Sequence, residues 1–125
     1  MENNGKNKGD PRTYAIIGAA MEVHKELGPG FMEVIYQRAL VREFAAKGLG
    51  FAREEKIPIY YKGEKLDTRR VDFIVEDVIV EIKAKHEMEE RDYVQTLNYL
   101  KASGFAVALL LNFGARSLQY KRFVV

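Results

Sequence analysis

The sequence predicts an α/β (α+β) domain whose mixed central β-sheet is flanked by helices, and three observations predict it. Two stretches with helical periodicity open the chain. The periodicity then changes to two over three successive runs. A third helical stretch follows, then an apolar run of buried-strand character and a last short strand. The resulting order, α-α-β-β-β-α-β-β, calls for helices packed against a sheet of mixed direction. At 125 residues the chain has the size of one ordinary domain with one core.

Residues 1–9 (MENNGKNKG) are too polar to bury a core and read as disordered, giving a tail over 1–10 and a single domain over 11–125. Asp10-Pro11 has the form of an N-cap followed by proline at the first helical position. Tyr14, Ile17, Met21 and His24 follow at spacings of three and four, and Leu27-Gly28-Pro29-Gly30 ends that helix. A second helix is predicted from about Phe31 to Lys47, with Met32, Ile35, Tyr36, Ala39, Leu40 and Phe44 inward and Gly48 as its stop. Strands are expected over 56–61, 69–75 and 78–84, with turns at Lys62-Gly63-Glu64 and Glu76-Asp77. The third helix fits Glu89 to Ala102, with Tyr93, Thr96, Leu97 and Leu100 on one stripe and Gly104 at its end. Strands over 105–112 and 118–125 complete the chain.

Composition excludes several classes. No run approaches the roughly 18 apolar residues of a membrane-spanning helix, and the polar N-terminus is no secretory signal. Without cysteine there is neither a disulfide framework nor a thiolate metal site. A soluble, cytoplasmic protein is the simplest expectation. The net charge of +2 is too small to indicate nucleic acid. Lys62, Lys65, Arg69 and Arg70 form a local basic group, which a solvated hairpin explains equally well.

The informative segment is Arg70-Val-Asp72-Phe-Ile-Val-Glu-Asp-Val-Ile-Val-Glu81-Ile-Lys83. With Glu76-Asp77 as a two-residue loop, Val75 pairs with Val78. The register then sets Asp72 opposite Glu81 and Arg70 opposite Lys83. Opposed side chains share a face with β-carbons about 4.5–5.5 Å apart, and alternation puts Lys83 on the face of Glu81, with Val80 and Ile82 turned into the core. Two carboxylates about 5 Å apart repel by roughly 3 kcal/mol at an effective dielectric of 20. A bound Mg²⁺ or Mn²⁺ would offset that repulsion, polarise a phosphoryl oxygen and acidify a bound water. An adjacent lysine could then orient the nucleophile or meet developing charge. Spacing alone favours the plainer alternative of a solvated strand face, with Asp72 neutralised by Arg70 or Lys83.

Further residues tip this balance. Gln95 and Tyr99 stand at i and i+4 on one helix face, and Gly30-x-x-Glu33-x-x-Tyr36 opens the second helix. This last element resembles the signature of the GxxExxY family, small proteins placed in the PD-(D/E)XK nuclease superfamily. The resemblance continues in order through His24 to Gly30, Asp72, Glu81-Ile-Lys83, Gln95 to Leu100 and Leu111-Asn112-Phe113-Gly114. It covers the chain from about Thr13 onward. It implies a restriction-endonuclease-like core of helix, three-stranded meander, helix and strand, with the site at one edge of the sheet. It also implies Asp72 and Glu81 as metal ligands, the Ile82 carbonyl as a third, and Lys83 as the catalytic lysine. Glu33 would bind or position a second ion or its water. Gln95 and Tyr99 match the QxxxY element of RecB-like nucleases, in which the glutamine helps hold the site. His24 reads first as a satisfied core histidine and second as a metal ligand; His86 reads as surface.

The function so implied is metal-dependent hydrolysis of phosphodiester bonds in nucleic acid, with DNA preferred. The alternative is a catalytically weak or inactive nucleic-acid-binding accessory module of the same fold. With no separate recognition domain in view, a homodimer or a partner protein is expected.

Overall fold

The computed structural model describes residues 10–125; the predicted tail over residues 1–9 lies outside them. Helix α1 (Pro11–Leu27) and α2 (Glu33–Ala46) precede strands β1 (Phe51–Tyr61), β2 (Glu64–Val75) and β3 (Val78–Lys83). Helix α3 (Glu90–Ser103), β4 (Val107–Asn112) and β5 (Gln119–Val124) follow. The strands lie in chain order in one sheet, and only β3 and β4 run parallel, joined by the α3 crossover. The fold is therefore the mixed, helix-flanked sheet expected.

Two cores cover its two faces. On one, α1 and α2 pack Ile16, Ala20, Val23, Leu40 and Phe44 against Phe73, Val80, Ile82, Leu109 and Leu111. On the other, Leu100 of α3, with Tyr93 and Leu97 beside it, covers Ile57, Val71, Ile79, Ala108 and Leu110. No helix among the described residues is long and apolar enough to cross a membrane.

Local chemistry explains the boundaries. Asp10 caps α1 by accepting from the Arg12 and Thr13 amides. It is buried and bridged to Arg12 at 3.0 Å and Arg122 at 3.2 Å, so it belongs to the folded domain and not to a tail ending at residue 10. The buried stripe of α1 is Thr13, Ile16, Ile17, Ala19, Ala20, Val23 and His24. Tyr14 and Met21, expected inward, are exposed, because the stripe that meets the sheet is rotated by about one residue. Met32 is likewise the exposed N-cap of α2. Helix α3 starts with a capping box between Glu89 and Asp92 and ends on left-handed Gly104. The β1–β2 hairpin is longer than predicted, since residues 51–55 of β1 and 64–68 of β2 extend it although none of them is buried and no apolar alternation marks them.

Candidate active site

The β2–β3 hairpin builds the site. Glu76 and Asp77, both at positive φ (49° and 68°), form its two-residue turn. Val75 pairs with Val78 as predicted, and the ladder continues through Ile74 with Ile79 to Phe73 with Val80. Beyond that pair the backbone ladder stops. Asp72 Oδ2 accepts from the Ile82 amide at 2.7 Å, and Glu81 Oε2 accepts from the Asp72 amide at 3.0 Å. Two carboxylates thus occupy the ladder positions at which the strands part, each bonded to backbone across the gap.

A change of face explains how Asp72 comes to point there. Val71 packs under α3, whereas Phe73, two residues on, packs under α1 and α2. Alternation would put both on one face. The strand therefore kinks at Asp72, beside Glu54 of β1, which sits at a positive φ of 56°. Kinks of this kind re-aim a side chain, and here the carboxylate is turned toward β3. The predicted pairing of Arg70 with Lys83 is not formed. Arg70 pairs instead with Lys56 of β1 and lies 3.9 Å from Glu54, because the two strands have already separated.

Both carboxylates are only partly exposed. Burial is the main force raising their pKa values, Asp72 to about 6 and Glu81 to about 8. The Asp72 charge also raises Glu81, and Glu33 raises both through space. Backbone N–H groups and Lys83 oppose the rise. Neither carboxylate is in an ion pair with a described residue.

The surroundings separate the predicted residues into two groups. On the α2 side, Gln37 donates to Asp72 Oδ1 at 3.0 Å while its own Oε1 accepts from Arg53 of β1 at 2.9 Å. Gln37 is thus the α2 side chain bonded to Asp72. Glu33, one turn earlier, is exposed and reaches the pair through its charge alone. Among the described residues no three His, Cys, Asp or Glu side chains gather as a metal-holding group.

On the α3 side, Lys83 opens into a cleft of about 580 Å³ that Lys85, Arg91, Asp92, Gln95, Asn98 and Tyr99 help to line. Gln95 is exposed and donates to the Tyr99 hydroxyl at 3.3 Å. It shares the cleft with Lys83 but makes no hydrogen bond to the carboxylate pair. The site lies between the second and third strands of five, not at the sheet edge that the resemblance implied.

Other residues through which the resemblance runs frame the site. His24 Nε2 meets the Ala115 carbonyl at 2.9 Å, the satisfied core histidine. The Tyr36 hydroxyl donates to the Gly28 carbonyl at 2.6 Å, and its ring stacks on Phe113 at 4.7 Å. It thereby locks the turn in which Gly30 has a φ of 113°. Asn112, fully buried, accepts from the Lys85 amide and donates to the Lys85 carbonyl, both at 2.9 Å. A β-carbon on Gly114 would lie 2.4 Å from Lys85 backbone atoms, so only glycine lets the chain pass there. Asn112 and Gly114 together fix the end of β3 from which Lys83 and Lys85 project.

Gln37, Asp92 and Lys85 went unnoticed in the sequence. Spacing could have found them: Gln37 is i+4 from Glu33, Asp92 is i−3 from Gln95, and Lys85 follows Lys83 at strand period.

The donor set of the pair is oxygen only, and no described residue forms an ion pair with either carboxylate. That chemistry fits a hard divalent ion such as Mg²⁺ or Mn²⁺ and does not fit a soft one. The fold and this site set two carboxylates and a lysine on a split hairpin inside a mixed, helix-flanked sheet. The chain belongs to the PD-(D/E)XK nuclease superfamily, whose family model matches residues 10–123. No curated protein and no solved structure matches it.

Proposed function

We propose that this protein is a Mg²⁺- or Mn²⁺-dependent nuclease of the GxxExxY type that hydrolyses phosphodiester bonds of nucleic acid, with DNA the preferred substrate. The observation that carries the reading is the crossed pair of Asp72 and Glu81 on a split hairpin, with Lys83 one pleat away. Asp72 and Glu81 would hold the ion, with the Ile82 carbonyl as a further donor. Glu33 would position a second ion or its water through its charge. A divalent ion bound there would supply Lewis acidity and a water of lowered pKa.

The chain's own side chains have separable roles. Gln37 fixes the Asp72 carboxylate. Lys83 reaches toward a substrate phosphate or attacking water from the α3 cleft. Gln95 and Tyr99 line the path that the strand would take. The same reading has the protein working in the cytoplasm as a homodimer or with a partner protein. One observation favours the accessory-module alternative: Glu33 does not join the pair as a third carboxylate.

Calorimetric titration of Mn²⁺ into wild type and Asp72→Asn tests the metal assignment; equal binding by both would remove Asp72 from the site. Labelled DNA and RNA substrates with Mg²⁺ or Mn²⁺, run beside Lys83→Ala, test the chemistry. Lys83→Ala should bind metal yet lose cleavage by about 10²-fold or more, the scale of removing one transition-state donor. A wild type that binds metal but cuts nothing would establish the accessory module.

A further inference from the structure

The charged partner that the structure gives Lys83 lies outside the carboxylate pair. The Lys83 ammonium lies 3.9 Å from Asp92 Oδ1, whereas neither Glu81 nor Asp72 has an ion-pair partner among the described residues. Asp92 is 4% exposed and reads locally as a helix cap, since its Oδ2 accepts from the Glu89 amide at 2.9 Å. A cap needs only one acceptor oxygen. Asp92 also takes Lys85 Nζ at 2.8 Å on Oδ2 and leaves Oδ1 turned to Lys83. The backbone of Lys85 is fixed by Asn112 and Gly114. The shorter bond therefore anchors Asp92 in the cleft, and the longer one leaves Lys83 loosely held.

A lysine one pleat from a pair of uncompensated carboxylates should fall onto them. Opposite charges attract strongly in a partly buried site, and such an ion pair would occupy the oxygens that a divalent ion needs. We propose that Asp92 is a positioning residue that draws the Lys83 ammonium away from Asp72 and Glu81, keeping the carboxylate pair open for a divalent cation. This rests on the metal-dependent reading above. It makes the acidic residue of α3 a determinant of metal affinity although it holds no metal itself.

The test is calorimetric titration of Mn²⁺ into the intact chain, with thermal melts to establish folding. Asp92→Asn keeps an oxygen for the Glu89 amide and loses the charge. Its Mn²⁺ affinity should fall about tenfold, the usual size of coupling between neighbouring charged groups. The double variant Asp92→Asn/Lys83→Met should regain wild-type affinity, because no lysine remains to compete. Lys83→Met alone should bind Mn²⁺ within about twofold of wild type, since Asp92 already holds the lysine aside. That last variant decides the matter even if Asp92→Asn does not fold. A marked gain of affinity in Lys83→Met would place the lysine on the carboxylates and overturn the proposal. So would a loss in Asp92→Asn that the double variant fails to reverse, which would mean a purely structural cap. Failure of the wild type to bind Mn²⁺ at all would instead bring down the underlying metal-site reading.

Discussion

The two ends of the β2–β3 hairpin are built from the same strands and do opposite things. At the turn end, Val75, Val78, Phe73 and Val80 complete a backbone ladder and are fully buried. At the open end, Asp72 and Glu81 replace that ladder with side-chain bonds and are left with pKa values raised by burial and, for Glu81, by the Asp72 charge. Frictionless apolar packing at one end allows a repulsive arrangement at the other. A two-stranded ribbon could not carry that repulsion alone; the helices over both faces and β4 alongside β3 make it tolerable. The comparison teaches that the site is a deliberate defect in the sheet, located where the strand changes face.

The comparison can be broken most forcefully at the closed end. Phe73→Ala should cost about 3–5 kcal/mol, the range for truncating a buried phenylalanine, because Phe73 packs edge-on against Phe44 at 5.3 Å. Urea unfolding would measure it. A loss under about 1 kcal/mol would mean that the closed end does not support the open one.

The next largest effect is in pH. Asp72 and Glu81 have folded pKa values of about 6 and about 8, above the ordinary carboxylate values near 4 expected in the unfolded chain. The folded protein therefore binds more protons between those limits. Metal-free stability should be full below about pH 4 as far as this pair is concerned, and should be lost as pH rises through 6 and 8. Thermal melts from pH 5 to 8, compared between wild type and Glu81→Gln, would isolate the contribution; the variant should show a flatter profile. Divalent-ion affinity should run the other way, strengthening with pH as the carboxylates lose protons.

Gln37→Ala probes the support of the open end. It removes the bond to Asp72 and leaves Arg53 without the Gln37 acceptor, so a loss of about 1–2 kcal/mol is expected. Metal affinity should fall less than in Asp72→Asn. An equal fall would make Gln37 as important to metal binding as the carboxylate it holds.

The smallest effect belongs to the turn. Asp77 has a φ of 68°, where glycine is at ease and other residues are strained, so Asp77→Gly should stabilise by about 0.5–1 kcal/mol. Metal binding should not change, since the turn lies at the far end of the hairpin. A changed metal affinity would show that the two ends are coupled.

Much of this was legible beforehand, for identifiable reasons. The order of elements, the Asp10 cap, the Glu76-Asp77 turn and the first hairpin pairs follow from local chemistry that neighbouring residues impose on one another. The approach of Asp72 and Glu81 across the hairpin was expected from the turn length, but not the kink that aims Asp72. The rotated stripe of α1 escaped because periodicity sets the spacing of a stripe but not which of two adjoining stripes meets the sheet. The kink at Asp72 escaped because it depends on β1 lying alongside, with Glu54 at positive φ. The bond from Gln37 to Asp72 depends on how α2 sits over the sheet. The partner of Lys83 was decided by where α3 places Asp92 after its crossover, a contact across nine residues of chain that no strand or helix period encodes. The sequence by itself determined which residues could form the site. Tertiary packing decided which carboxylate each cation faces, because ion pairing depends on distances between elements that local propensity does not set.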